Sequence, residues 1–147
     1  TGSRSIDTEP CFSPDGQQLY FSSNRGGTPQ IYKMPANGGS ATRVTFQGSY
    51  NTSPALSADG RLMAYIGRVE SAFRVHVMDL VSGEVRVLTD TEADESPSFA
   101  ANSQMLIYAT RLNGRDALMT VSADGNIRTR LAGALGDIRE PDWGPFR

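Results

Sequence analysis

The stretch Glu9-Pro10-Cys11-Phe12-Ser13-Pro14-Asp15-Gly16 begins a pattern that returns along the chain. Prolines 44, 43 and 44 residues apart mark its four occurrences, at Pro10, Pro54, Pro97 and Pro141. The Asp-Gly turn that follows the first proline returns once intact and once altered, as Asp59-Gly60 and Asn102-Ser103. A repeat of about forty residues built from short strands and turns is typical of β-propeller blades.

Helical repeats of similar length do not fit these residues. Their helices need apolar residues every three or four positions, whereas the apolar runs here are short and interrupted by 15 Gly and 8 Pro in 147 residues. We therefore predict an all-β fold in which each repeat forms four antiparallel strands. In the first repeat these strands, A to D from the ring axis outward, are expected over 10–13, 18–22, 30–34 and 41–46.

The repeats predict three blades, at about 7–49, 50–93 and 94–136, followed by a lone inner strand over 137–147. Propellers close with four to eight blades, so three blades do not complete a ring. We expect the chain to be the C-terminal part of a six-bladed ring whose last blade is completed by an N-terminal segment. Its two end blades would each leave an apolar face uncovered, so we expect either self-association of the isolated piece or coverage of these faces by an N-terminal half of a longer protein.

The composition argues against binding to nucleic acid and against insertion into a membrane. A formal charge of -2 with 20% charged residues gives no basic surface for nucleic acid or an anionic membrane. No apolar stretch approaches the roughly 20 residues that span a bilayer, so direct membrane insertion is not expected. Cys11 is the only cysteine and is expected to be a buried apolar residue of strand A.

Two residues that suggest function are expected to be structural. His76 is the only histidine and lies in a predicted strand, without the further ligands that a zinc site needs. Trp143 occupies the same repeat position as Phe12, Leu56 and Phe99, which predicts core packing. A Ca²⁺ ion could lodge among channel carboxylates, but no Asp-rich loop supports it, so no cofactor is predicted.

The predicted meander places the D-to-A connections and the B-to-C loops on one face of the ring. Because strand A is innermost, the carboxylates of the D-to-A connections surround the channel mouth. The B-to-C loops form an outer circle that carries Arg25, Arg68, Arg111 and Arg115. Such a charge pattern can orient a protein partner. From spacing alone, the carboxylates could equally be solvated loop charges or caps on backbone N–H groups.

The ordered motifs resemble the C-terminal half of the TolB family, the periplasmic propellers of the Gram-negative Tol-Pal envelope system. The motifs are Asp7-Thr8-Glu9-Pro10, Ser13-Pro14-Asp15-Gly16, Pro29-Gln30-Ile31-Tyr32-Lys33, Gly38-Gly39, Arg43-Val44-Thr45-Phe46-Gln47-Gly48, Asp94-Glu95-Ser96-Pro97, Ile107-Tyr108 and Trp143-Gly144-Pro145-Phe146. Departures from the family pattern are Ala101-Asn102-Ser103 in the third turn and a chain end at Gly144-Pro145-Phe146-Arg147.

The resemblance implies a non-catalytic scaffold that binds the lipoprotein Pal at the channel-mouth face. It also implies contact with TolA through a segment absent here, imitation of Pal by colicin translocation domains, and a role in outer-membrane integrity and cell division. Thr8 and Glu9 match the Pal-binding region of the family directly. Their neighbours and repeat equivalents are Asn51, Thr52, Asp94, Glu95, Arg139 and Glu140.

An enzyme-linked function is the alternative. Propellers with similar Ser-Pro-Asp-Gly turns precede the hydrolase domain of prolyl-oligopeptidase-like serine peptidases. The sequence contains neither a Gly-X-Ser-X-Gly nucleophile elbow nor a glycine-rich phosphate loop. Catalysis by this chain is therefore not predicted.

Overall fold

The computed structural model describes residues 7–133, which form three four-stranded antiparallel sheets. Blade 1 contains β1 (Asp7–Phe12), β2 (Gln18–Ser23), β3 (Gln30–Pro35) and β4 (Thr42–Arg43). Blade 2 contains β5 (Asn51–Leu56), β6 (Leu62–Val69), β7 (Ala72–Asp79) and β8 (Val85–Val87). Blade 3 contains β9 (Glu95–Phe99), β10 (Met105–Leu112), β11 (Arg115–Ser122) and β12 (Arg128–Gly133). The predicted all-β architecture is confirmed; the predicted closing strand over 137–147 lies outside the described residues.

The inner strands begin before their prolines, whereas we predicted that strand A begins at the proline. In β1, three steps from Thr8 to Cys11 face two steps from Ser22 to Tyr20 on β2, which defines a β-bulge. The same mismatch occurs in β5 and β9. Each bulge contains the proline at a position without a partner in the ladder, so its missing N–H breaks no strand pairing.

Strand β4 ends at Arg43, three residues before the predicted end of strand D. The side chain of Thr45 accounts for the difference, because its hydroxyl accepts the N–H of Ile31 at 3.0 Å in place of a backbone carbonyl. Thr89 repeats this arrangement in blade 2 and accepts the N–H of Val75 at 3.0 Å. A side chain therefore completes the outer edge of the sheet where the backbone ladder stops.

The apolar core lies between the blades. One cluster joins blades 1 and 2 and includes Tyr20, Ile31, Met63, Tyr65 and Met78. A second joins blades 2 and 3 and includes Ala64, Ile66, Val75, Val77, Leu88, Phe99, Leu106, Tyr108 and Val121. Successive residues of β6 enter opposite clusters, because side chains alternate along a strand. Both faces of the middle blade are thus buried.

The inner-strand apolar position does not have one environment in all blades. Phe99 is buried between blades 2 and 3, and Leu56 is half-buried against the cluster between blades 1 and 2. Phe12 is 59% exposed, contrary to the core packing that its register predicts. The reason is that, among the described residues, no sheet lies against that face of blade 1. Trp143 lies outside the described residues.

Blade 2 makes room for an imidazole ring in its middle. Tyr65 on β6 pairs with His76 on β7, and the centroids of the two rings are 5.3 Å apart. Gly67 follows on the same face, and a Cβ atom built there would lie 2.6 Å from Cε1 of His76. The absence of a side chain at residue 67 is therefore what admits the ring.

Substitution Gly67→Ala is expected to destabilise the protein by about 1–3 kcal/mol, because an added methyl overpacks a filled site. Urea unfolding of the full-length protein measures the change as a lower midpoint. In a His76→Ala background the ring is gone, so adding Gly67→Ala should cost much less. Equal costs in both backgrounds would show that the ring is not the obstacle.

Candidate functional site

A strained backbone residue precedes the proline of every described inner strand. The φ angles are 58° at Glu9, 60° at Ser53 and 53° at Ser96. Side chains other than glycine rarely adopt this left-handed region, and a following proline favours extended backbone instead. Each such residue costs on the order of 1–3 kcal/mol, and strain of this kind clusters at functional sites. Its repetition at the same end of three inner strands identifies a candidate site.

Glu9 is held by two serines from neighbouring blades. Its carboxylate accepts the hydroxyl of Ser22 at 3.0 Å and also the hydroxyl of Ser53. The Ser22 hydroxyl in turn accepts the backbone N–H of Ser53 at 3.0 Å. Glu9 and its neighbour Thr8 are nevertheless exposed. The carboxylate therefore faces solvent in an orientation that the seam between blades 1 and 2 fixes.

Two adjoining clefts flank Glu9. The larger, which we call the mouth cleft, encloses about 340 Å³ and is lined by Glu9, Tyr50, Thr52, Ser53, Ile66, Phe73, Ala93, Asp94, Glu95 and Ser96. The smaller, the side cleft, encloses about 220 Å³ and is lined by Thr8, Glu9, Ser22, Ser23, Asn24, Pro29, Tyr50 and Thr52. Glu9, Tyr50 and Thr52 form the ridge that both clefts share. The structure thus brings Thr8, Glu9, Thr52, Asp94 and Glu95 to one surface.

Sequence reasoning missed the aromatic part of this surface. Tyr50 and Phe73 meet edge to face in the mouth cleft, with ring centroids 5.2 Å apart. The signal was available for Tyr50, which stands in a connection that is otherwise polar. Phe73 had no such signal, because it lies in an apolar strand and reads as a core residue.

Asn51 and Asp94 occupy equivalent repeat positions and are both buried. The amide of Asn51 donates to Oε1 of Gln30 at 2.8 Å and to the carbonyl of Gln47 at 2.7 Å. The carboxylate of Asp94 accepts the N–H of Val75 at 3.2 Å and the hydroxyls of Thr89 and Thr91. These side chains support the connections from beneath. Arg139 and Glu140 lie outside the described residues.

The predicted outer arginines differ in how firmly they are held. Arg25 forms an ion pair with Asp7 at 3.1 Å, and its guanidinium lies 5.0 Å from the ring centre of Phe21 and 5.2 Å from that of Tyr32. Arg111 lies 3.8 Å from Asp116, and Arg68 donates to the carbonyl of Glu70 at 2.8 Å. Arg115 is exposed. Arg25 therefore anchors the start of β1, which leads into Thr8 and Glu9.

Metal binding, a reactive thiol and a membrane-spanning helix have little support among the described residues. Within residues 7–133, no three His, Cys, Asp or Glu side chains are grouped so that they could hold a metal ion. Burial raises the pKa of the half-buried Cys11 thiol, which disfavours the reactive thiolate. No helix in the described part of the chain is long and apolar enough to cross a membrane.

Known proteins resemble this chain closely. Residues 1–147 match the family profile of the TolB beta propeller domain. The chain is 53% identical over 119 residues to the Tol-Pal system protein TolB of Nitrosospira multiformis, an alignment covering 79% of this chain and 27% of that protein. The crystal structure of TolB from Acinetobacter baumannii superimposes with a TM-score of 0.89 at 45% identity, covering 97% of this chain and 36% of that one.

More distant structures share the fold alone. An acylaminoacyl peptidase superimposes with a TM-score of 0.64 at 11% identity and covers 86% of this chain. At this identity the likeness concerns the arrangement of blades and carries no functional residue. The chain spans 27% of the curated relative and 36% of the solved chain described above, so both contain much more than these three blades.

Replacement of Arg25 by alanine is expected to destabilise the protein by about 1–3 kcal/mol, since a largely buried ion pair with Asp7 and the contacts of the guanidinium with two aromatic rings are lost. Arg61→Ala is the matched control. Arg61 pairs with Asp79 at a similar distance of 3.2 Å but is 65% exposed, so its loss should cost less than about 1 kcal/mol. Urea unfolding of both variants makes the comparison, and equal costs would contradict the anchoring role of Arg25.

The buried imidazole of His76 predicts a pH dependence of stability. Burial lowers the pKa of His76 below its usual value of about 6.5. As the pH falls, the unfolded chain therefore takes up this proton first, and stability is lost between the unfolded and the folded pKa. Between about pH 8 and about pH 5.5, the wild type should lose more unfolding free energy than a His76→Gln variant. Parallel pH profiles for the two proteins would contradict the assignment.

Proposed function

Because the chain belongs to the TolB β-propeller family, as its motifs indicated, we propose that it is a non-catalytic propeller that docks the lipoprotein Pal on its channel-mouth face. The proposal places it in the periplasm, in the Tol-Pal machinery of outer-membrane integrity and cell division. TolA would be engaged by a segment outside this chain, and colicin translocation domains would use the Pal surface.

The observation that carries the proposal is the exposed carboxylate of Glu9 on a strained backbone, fixed beside two clefts. Protein interfaces concentrate binding energy in a few well-oriented side chains set around pockets, with aromatic residues prominent among them. Here Glu9 has its orientation set by Ser22 and Ser53, and Tyr50 forms the neighbouring ridge. Little conformational freedom would be lost at this carboxylate on binding, which favours affinity.

The proposed contacts divide into two roles. Thr8, Glu9, Thr52 and Glu95 line the clefts and are proposed to touch Pal. Asn51 and Asp94 belong to the same surface, where their internal hydrogen bonds suit them to holding its shape. Arg139 and Glu140 are proposed as contacts from their repeat positions in the sequence alone.

Charge would contribute mainly to encounter and orientation. The outer arginines are predicted on the same face of the ring as these carboxylates, and complementary charge patterns raise association rates more than they raise final affinity. Hydrogen bonds and side-chain packing carry the docking, so the proposal requires no cofactor.

The geometry of His76 supports a non-catalytic function. Its Nδ1 donates to the carbonyl of Arg74 at 2.9 Å, whereas a catalytic histidine of the serine-hydrolase type is oriented by a carboxylate at that nitrogen. The peptidase neighbours share only the fold with this chain. The peptidase-linked alternative therefore has no site residue to support it among residues 7–133.

Charge reversal at Glu9 tests the proposal. Glu9→Lys is expected to weaken Pal binding by about 2–5 kcal/mol, the usual cost when a partner group is left buried and unpaired. Glu84→Lys is the matched control, because Glu84 is exposed in the turn between β7 and β8, at the opposite end of its blade. Calorimetry with full-length protein and purified Pal gives both affinities.

Two outcomes would contradict the proposal. Unchanged affinity for Glu9→Lys with a cooperatively folded variant would remove Glu9 from the interface. Cleavage of peptides by the full-length protein would replace the scaffold function by the peptidase-linked one.

A further inference from the structure

A third cleft lies between blades 1 and 2 and includes Asn51, whose neighbours Tyr50 and Thr52 line the mouth cleft. We call it the wall cleft; it encloses about 240 Å³ and shares no lining residue with the mouth and side clefts. Gln47 and Gly48 border it from blade 1, and Tyr65, His76 and Val85 are among its residues from blade 2. Pockets for drug-sized ligands usually enclose 300–1,000 Å³, so the wall cleft suits a group about the size of one amino-acid residue.

The wall cleft contains a hydrogen-bond acceptor without a partner. His76 is only 9% exposed, and its Nδ1 carries the proton because it donates to the carbonyl of Arg74. Nε2 is then an acceptor. No described residue donates a hydrogen bond to it. Because His76 lines the cleft, this nitrogen is available to receive an N–H or O–H from a ligand.

Blade 2 differs from the other two blades at the positions of Gly67 and His76. The positions equivalent to Gly67 and His76 are Ser23 and Tyr32 in blade 1, and Thr110 and Met119 in blade 3. Only blade 2 combines a residue without a side chain with an imidazole that occupies the space. General propeller architecture therefore does not account for the pair, since the same strands form without it in the other two blades.

An unpaired cation and two valines complete the cleft. Arg68 is exposed, and its Nε donates to the carbonyl of Glu70 at 2.8 Å. Among the described residues its guanidinium has no carboxylate within ion-pair distance, and no Asp or Glu lines the cleft. Val85 is half-buried and Val87 is 49% exposed, which leaves apolar surface beside the polar groups.

We propose that the wall cleft binds a carboxylate that has an amide N–H on the adjacent carbon, the chemistry shared by a peptide C-terminus and an N-acyl amino acid. Arg68 takes the carboxylate, for which a guanidinium is geometrically matched. Nε2 of His76 accepts the amide N–H, and the valines contact the ligand side chain. This binding activity is additional to Pal docking and uses its own cleft beside the mouth.

The imidazole signals of His76 provide a direct test in full-length protein, assigned by their loss in His76→Gln. N-acetylvaline should shift the Nε2 resonance in a saturable way, and N-acetylvaline methylamide, which lacks the carboxylate, should not. Arg68→Gln should weaken binding about tenfold or more through loss of a charge-assisted contact, with partial recovery in Arg68→Lys. Arg111→Gln, at the equivalent position of blade 3, is the control and should bind normally.

A peptide ending in valine distinguishes the two sources of the ligand. Tighter binding of the free-acid peptide than of N-acetylvaline, with loss on C-terminal amidation, assigns the cleft to a polypeptide terminus. Equal or weaker binding assigns it to a small molecule. The proposal fails if the Nε2 signal does not respond at millimolar N-acetylvaline, or if Arg68→Gln and Arg111→Gln bind equally well.

Discussion

The fold depends on one constraint: each sheet has two apolar faces and can cover neither by itself. Met63 and Tyr65 of β6 point into the cluster shared with blade 1, and Ala64 and Ile66 point into the cluster shared with blade 3. A strand with both faces buried loses the alternation of apolar and polar residues that a half-exposed strand shows. The core of this protein is therefore a property of neighbouring blades, and no single blade contains it.

The parts of the fold that sequence reasoning predicted are those determined locally. In the first turn, the Ser13 hydroxyl donates to Asp15 at 2.6 Å and the Gln17 N–H donates to the same oxygen at 3.0 Å. These bonds lower the pKa of Asp15 and lie within five residues. Strand ends were less predictable, because the hydroxyl of Thr45 reaches a backbone group 14 residues away.

The residues of the candidate site were also predictable only in part. Topology placed the connections at one face, but only the tertiary structure separates the buried Asp94 from the exposed Glu9.

The strained residues at the inner strands depend on this tertiary context. A left-handed residue before proline is unfavourable in an isolated chain, so hydrogen bonds from other strands must hold it. For Glu9 those bonds come from Ser22 and Ser53, and the bulge gives the proline a position where it interrupts no ladder. The result is a backbone that changes direction abruptly at the channel mouth and presents side chains there in a defined orientation.

Glu9 is exposed at the surface and is also hydrogen-bonded to residues of two blades. Its carboxylate is bonded within blade 1 through Ser22 and across the seam to blade 2 through Ser53. A ligand that draws on the same oxygens competes with the Ser53 hydroxyl, so the free energy of binding includes the work of adjusting the spacing between blades. By reciprocity, any force that spreads the blades alters the affinity at the mouth. For a partner bound at Glu9, the seam would thus couple binding mechanically to the spacing of the two blades.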